Sequence, residues 1–249
     1  MHESKIPTIL VTGATGNVGS ELTKTLTAKH VPFRVMVRST KSAEAVTKAG
    51  AIDVVIGDFD DAESLARALE GVERAFLVTN SSEHAEAQQL RFVEVASRAG
   101  VRHIVKLSQW AADPDSPVRF LRYHAVVEWK IRESGMSYTF LRPNLFMQGL
   151  LGFRDSIMKQ GKFFAAAGDT RISVVDVRDI AAVGAAALTG TGHEGRVYDL
   201  TGPEALTHGE IAEKLSQALN RPVQYVNVPE EACWRQCLDS EFHAGRPMV

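Results

Sequence analysis

The stretch VTGATGNVGSEL sets Gly13, Gly16 and Gly19 three residues apart, directly between an apolar run and a helical pattern. No other feature constrains the fold as tightly. At the junction of a first strand and a first helix, Gly13 permits the tight turn and Gly16 lets backbone amides approach a pyrophosphate. Gly19 lets the helix pack closely on the strand. The positive end of the helix then faces the phosphates. Thr15, Asn17 and Val18 complete the loop and are expected around the same ligand. A glycine-rich turn with no ligand is the competing reading; position and spacing favour the phosphate site.

The rest of the chain supplies a matching framework. Strands are expected at Thr8–Thr12, Phe33–Val37, Asp53–Ile56, Ala75–Val78, His103–Leu107 and Tyr138–Arg142. Helical patterns lie between them, at Val18–Lys29, Lys41–Ala49, Ala62–Leu69, His84–Ala99 and Arg119–Ser134. Asp60 with Glu63 has the spacing of a capping box, and Gly50, Gly71, Gly100 and Gly135 each follow a helical run as stops. Apolar strands alternating with helices predict a mostly parallel sheet covered on both faces, the doubly wound α/β (Rossmann) fold.

After Arg142 the rhythm changes. A loop and helix ending in glycine precede a strand at Ile172–Val175 and a helix at Arg178–Leu188. A strand at Val197–Leu200, a helix from a Thr207–Glu210 cap to Leu219 and a strand at Val223–Val228 follow. There is no repeat, low-complexity tract or linker. The expectation is one nucleotide-binding domain over residues 1–249, with a small C-terminal substrate lobe built from about 143–172 and 203–249.

A net charge of −2 gives no general attraction to nucleic acid or anionic membrane. MHESKIPTILVTG lacks the layout of a signal peptide, and no apolar run approaches the roughly 20 residues of a membrane span. A cytoplasmic location is expected. Cys233 and Cys237 lack a second ligand pair and read as reduced thiols, so no metal site is expected.

The glycine loop, in its GxxGxxG form, is followed by VRST, GDFDD, LVTNSS, VKLSQW, YTFLRPNLFM, VVDVRDIA and YDLTGPEALTHGEIA. In this order the motifs resemble the NmrA-like branch of the atypical short-chain dehydrogenases, from about Ile6 to Pro229. That branch includes triphenylmethane-dye and quinone reductases, and NADP-binding regulators without known turnover. After Trp234, CLDSEFHAGRPMV departs from the family pattern, which implies a rebuilt or shortened substrate lobe and a more open pocket.

The second strand decides between the nicotinamide cofactors. An NAD site places a carboxylate at its end, about 20 residues past the loop, to hold the ribose hydroxyls. Arg38 stands there instead, and no acidic residue occurs between Glu21 and Glu44. A guanidinium can grip a 2′-phosphate that a carboxylate would repel, with Lys41 beside it, so NADP(H) is expected. The resemblance implies further contacts. Asp58 and Phe59 match the adenine-side pair, although Asp58 reads equally well as a turn aspartate. Val78, Thr79 and Asn80 would line the ribose next to nicotinamide, and Pro143, Asn144 and Phe146 would run beside its carboxamide.

Ordinary short-chain dehydrogenases use a tyrosine and a lysine four residues apart, about 6 Å along a helix, so both reach one ligand. In YHAVVEWK, Tyr123 and Lys130 are seven apart, about 10.5 Å, and Val127 occupies the fourth place. The standard pair is absent. His124 and Glu128 form an i, i+4 pair instead, similar to the pattern in the dye and quinone reductases. Glu128 is expected to orient the imidazole and stabilise its protonated form, leaving His124 to touch the ribose or a substrate oxygen. A helix-surface ion pair is the alternative. Ser108 matches the family serine and, with no base beside it, is limited to hydrogen bonding.

Trp110, Phe120, Phe146, Met147, Phe153, Phe163 and Phe164 suit a flat aromatic acceptor, although each is also an ordinary core residue type. The reading is an NADPH-dependent oxidoreductase passing hydride to a quinone, a cationic dye or a similar aromatic acceptor. The alternative is an NADP(H)-binding redox sensor with a regulatory protein partner. A monomer or homodimer with a small aromatic substrate is expected, without direct contact to nucleic acid or membrane.

Overall fold

The computed structural model describes residues 8–48, 53–229 and 231. Gly50, the two cysteines and the segment after Trp234 lie outside the described residues. Two compact units divide the chain, one built from residues up to Pro143 together with Val177–Leu200, the other from Asn144–Asp176 and the residues from Thr201 on.

The first unit alternates strands and helices in the expected way. Its strands are β1 (Ile9–Val11), β2 (Arg34–Val37), β3 (Asp53–Ile56), β4 (Arg74–Leu77), β5 (His103–Leu107) and β6 (Ser137–Pro143). Between them lie α1 (Asn17–Ala28), α2 (Thr40–Lys48), α3 (Ala62–Leu69), α4 (Ala85–Arg98) and α5 (Arg119–Glu133). The second unit begins with a 3-10 turn (Met147–Phe153), α6 (Arg154–Gln160) and β7 (Lys162–Ala165). The chain returns to the first unit for α7 (Val177–Thr189) and β8 (Arg196–Leu200), then ends in the second with α8 (His208–Leu219) and β9 (Gln224–Asn227).

Seven strands form one parallel sheet in the order β3-β2-β1-β4-β5-β6-β8. The helices α3, α4 and α5 pack side by side, and α1 packs on α7. Leu65, Leu69, Phe92, Val127 and Ile131 meet Leu10, Ile104 and Phe140 of the sheet in one buried cluster. Strand order reverses between β1 and β4. In doubly wound sheets this is where the strand ends splay apart and leave a crevice for ligands.

Gly71, Gly100 and Gly135 adopt φ of 74°, 81° and 76°, the left-handed conformation that ends a helix at low steric cost. The expected Asp60 cap is displaced by one residue. Asp61 caps α3 by accepting from the Glu63 amide, while Asp60 binds Gln88 and Arg91 on α4. In the second unit the Thr207–Glu210 capping box is present in full. Ile172–Val175 is not a strand: Ile172 bridges Leu206 and Val175 bridges Phe146, so two different partners prevent a continuous ladder. A strand the sequence reading lacked, β7, pairs in parallel with β9. The aromatic residues Phe153, Phe163 and Tyr225 form the interior of this unit. Among the described residues no helix is long and apolar enough to cross a membrane.

Candidate active site

The crevice at the strand-order reversal is floored by the glycine loop. Thr12 stitches the ends of β1 and β4 together: its hydroxyl accepts the Val78 amide at 2.9 Å and lies 2.9 and 3.0 Å from the Phe76 and Val78 carbonyl oxygens. Gly13 then turns with φ 62°, and a β-carbon there would lie 2.5 Å from Cγ1 of Val78. At Gly19 a β-carbon would lie 2.1 Å from the Gly13 carbonyl oxygen. The turn itself therefore demands both glycines.

Gly16 differs. Its φ of −87° suits any residue, and an added β-carbon would meet only the Gly13 oxygen, at 3.3 Å. The fold needs glycine less there than at Gly13 or Gly19, since the Gly13 oxygen would have to give by only a few tenths of an ångström. A ligand pressed against the backbone would need it, as a pyrophosphate at a helix N-terminus does. No side chain caps the N-terminus of α1, a state it shares with α4 and α5. Thr15, Gly16 and Asn17 are exposed at the mouth, and Val18 is buried beneath them. The loop fits a dinucleotide.

Because the sheet is parallel, the segments after β2, β3 and β4 open on the same edge as this loop. Arg38 follows β2 and Lys41 lies in the first turn of α2; both are exposed. The Gly57 amide donates to the Val37 carbonyl at 2.9 Å, drawing the Asp58 segment beside that of Arg38. Asp58 Oδ1 accepts the Asp60 amide at 2.9 Å, so the turn role is real. Phe59 packs its ring on Phe92 in the core, and its carbonyl accepts from Arg91 at 2.8 Å. Val78, Thr79 and Asn80 directly follow β4, with Thr79 Oγ1 accepting from Gln89 at 2.8 Å.

Pro143 ends β6, whereas Asn144 and Phe146 belong to the second unit. There Asn144 donates to Ser173 Oγ at 3.1 Å and accepts the Leu145 amide at 2.7 Å. Of the expected aromatic lining, Phe163 is fully buried and Phe153 packs on it; both are core. Trp110 and Met147 are exposed.

The most unusual chemistry lies where α5 crosses β5 and β6. α5 buries Tyr123, His124, Val127, Glu128 and Ile131 along one stripe. Glu128 does not orient His124, contrary to the expected pairing. It is fully buried and accepts two bonds from Arg142 of β6, at 2.9 and 2.6 Å, and one from Ser108 Oγ at 2.6 Å. Arg132 adds a longer contact at 3.4 Å. The paired geometry saturates the carboxylate, since bidentate guanidinium contacts are the strongest it can make. The Glu128 hydrogen bond raises the pKa of Arg142 further.

His124 meets a different residue. Lys106, a fully buried lysine within β5, places Nζ 2.7 Å from His124 Nδ1 and 3.1 Å from the Leu107 carbonyl, to which it donates. Burial, opposed by Glu128 and reinforced by Arg142, pushes Lys106 down to about 7. Burial and then Lys106 hold the His124 imidazole well below its ordinary range, so it is neutral rather than the stabilised imidazolium expected. Tyr123 is 2% exposed, and its ring lies tilted against His124 with centroids 4.3 Å apart. Burial pushes its phenol pKa up. Lys130 is exposed. Lys106 stood in view in VKLSQW, because a lysine inside a strand buried on both faces is anomalous. Among the described residues there is no grouping of metal ligands.

A glycine loop at the strand reversal, an arginine after β2 and a helix without the tyrosine–lysine pair define an atypical member of the short-chain dehydrogenase class. The chain belongs to the NmrA-like family, whose pattern matches residues 5–245. It is 39% identical over 223 residues to the NAD(P)H azoreductase of Xenophilus azovorans, covering 90% of this chain and 78% of that one. The NADPH-dependent quinone oxidoreductase of Escherichia coli in complex with NADPH superposes with a TM-score of 0.84 at 32% identity, covering 96% and 83% of the two chains. The triphenylmethane reductase of Citrobacter sp. in complex with NADP(H) gives 0.83 at 29% identity, covering 96% and 84%.

Proposed function

We propose that this chain is an NADPH-dependent reductase of flat aromatic acceptors: quinones, azo compounds and cationic dyes. The cofactor NADPH supplies hydride at the sheet edge. The Gly13–Val18 loop and the open N-terminus of α1 hold its pyrophosphate, and Arg38 with Lys41 holds the 2′-phosphate. Asp58 and the Phe59 backbone flank the adenine. Val78, Thr79 and Asn80 line the second ribose, and Pro143, at the end of β6, follows beside the carboxamide. The named relatives support both the cofactor and the acceptor class.

The observation that carries the acceptor class is the state of α5. Tyr123 is buried against His124, and Val127 stands where the lysine of an alcohol dehydrogenase would be. An alkoxide needs a strong local acid as it forms. A carbocationic dye needs no proton during hydride transfer, and a quinone yields a weakly basic oxyanion that water can protonate. A neutral His124 suits such an acceptor as a hydrogen-bond donor. Ser108 and Glu128 brace β5, α5 and β6 around it rather than touching substrate.

The test is incubation with NADPH and a panel of quinones, azo dyes and triphenylmethane dyes, following nicotinamide absorbance. Consumption with several aromatic acceptors, and none of NADP by secondary alcohols, is expected. Efficient alcohol oxidation, or NADPH binding with no acceptor turned over, would sink the reading.

A further inference from the structure

We propose that Lys106 is a positioning residue: it fixes the tautomer of His124 so that Nε2–H is held as a donor to the oxygen that becomes negative when a quinone accepts hydride. This rests on the reductase reading above. The geometry leaves Lys106 little other purpose. Its Nζ is sealed inside the sheet layer with the Leu107 carbonyl at 3.1 Å and His124 Nδ1 at 2.7 Å. Among the described residues it makes no ion pair, and the nearby Glu128 carboxylate is occupied by Arg142 and Ser108. A buried methionine would fill the same space without the cost of burying an amine.

The tautomer follows from donor and acceptor counting. A lysine has three N–H donors when charged and two when neutral. The charged form has no lone pair and can only donate, one proton to the Leu107 carbonyl and one to Nδ1. With Nδ1 accepting, the single proton of a neutral imidazole resides on Nε2. Nε2 makes no hydrogen bond with the described residues, while Phe120, edge-on at 5.1 Å, and Tyr123 at 4.3 Å fix the plane of the ring. Lys106 is the penultimate residue of β5, so this donor lies at the carboxyl edge, where ligands bind in such sheets. In quinone reduction the hydride adds two electrons, NADPH becomes NADP, and the hydroquinone anion takes its proton from water. His124 stabilises that anion and keeps its own proton.

The test combines nitrogen-15 NMR of the His124 ring, assigned by its loss in His124→Gln, with kinetics of Lys106→Met. The Nε2–H tautomer is expected in the parent protein, and a mixture in Lys106→Met. The quinone-to-dye kcat ratio should fall roughly tenfold or more in that variant, since a cationic acceptor forms no oxyanion. A parent Nδ1–H tautomer overturns the proposal, even if Lys106→Met fails to fold. Equal losses with quinone and dye, or a matching loss of NADPH affinity, also overturn it by marking the lysine as structural. If the parent reduces no acceptor of the panel, the reductase reading falls, whereas the NMR result still decides whether Lys106 sets the tautomer.

Discussion

Gly19 lies so close to Gly13 that a β-carbon on the first would sit 2.1 Å from the carbonyl oxygen of the second. Gly16, between them, has no such neighbour. The loop thus separates two glycines that the fold requires from one that the proposed pyrophosphate contact would require. Gly16→Val is expected to leave the thermal midpoint nearly unchanged and to abolish NADPH binding by calorimetry. Gly19→Ala should lower the midpoint even without nucleotide. Tight NADPH binding by a folded Gly16→Val would remove the pyrophosphate from this loop.

Arg38 is exposed and directly follows β2, and the proposed function gives it the 2′-phosphate. Arg38→Ala should weaken NADPH by roughly 1.5–3 kcal/mol, about one to two decades in Kd, with NADH little affected. Equal weakening of both cofactors would make Arg38 a structural residue.

Tyr123 and His124 are in ring contact but should behave differently. Tyr123→Phe removes a buried hydroxyl and is expected to leave quinone or dye reduction within a few-fold of the parent. His124→Ala should cost more, through the lost donor. A general acid contributes typically about 10²–10⁴-fold, so a thousand-fold loss in Tyr123→Phe would restore tyrosine as the acid.

Arg142 supplies two of the hydrogen bonds that neutralise a fully buried Glu128. Removing one partner of such a pair strands the other, at about 3 kcal/mol. Arg142→Met should shift the urea midpoint accordingly, and adding Glu128→Gln should recover much of the loss. Additive effects of the two changes would contradict a coupled pair.

Lys106 also leaves a signature in stability against pH. Its folded value is about 7 against an ordinary 10.5, so between these values the unfolded chain holds a proton that the folded chain lacks. Stability from this group therefore rises with pH across that window, by at most about 1.4 kcal/mol per unit, and is flat below it. Lys106→Met should remove the rise. Parallel curves for parent and variant between pH 7 and 9.5 would show that the lysine is not depressed.

What could be read from the chain followed local rules. Asp53–Ile56, His103–Leu107 and Ala62–Leu69 have the expected bounds, because apolar strands and capped helices announce themselves over a few residues. β7 did not, since its partner β9 lies about 60 residues further on and KFFA is too short to show a period. At the site, His124 and Glu128 were visible as an i, i+4 pair, yet that spacing only places both on one helix stripe. Their true partners, Lys106 and Arg142, come from neighbouring strands, and only the folded sheet brings them under α5.

Strand β8 pairs with β6 from Thr139–Arg196 to Pro143–Leu200, yet about fifty residues separate them along the chain. On a ribosome, β6 therefore emerges with its outer row of amides and carbonyls unpaired, and stays so while Asn144–Thr189 and β8 are made. An unpaired strand edge is a template for another nascent chain. Any fragment ending before Leu200, however complete its nucleotide loop, should be prone to self-association for that reason.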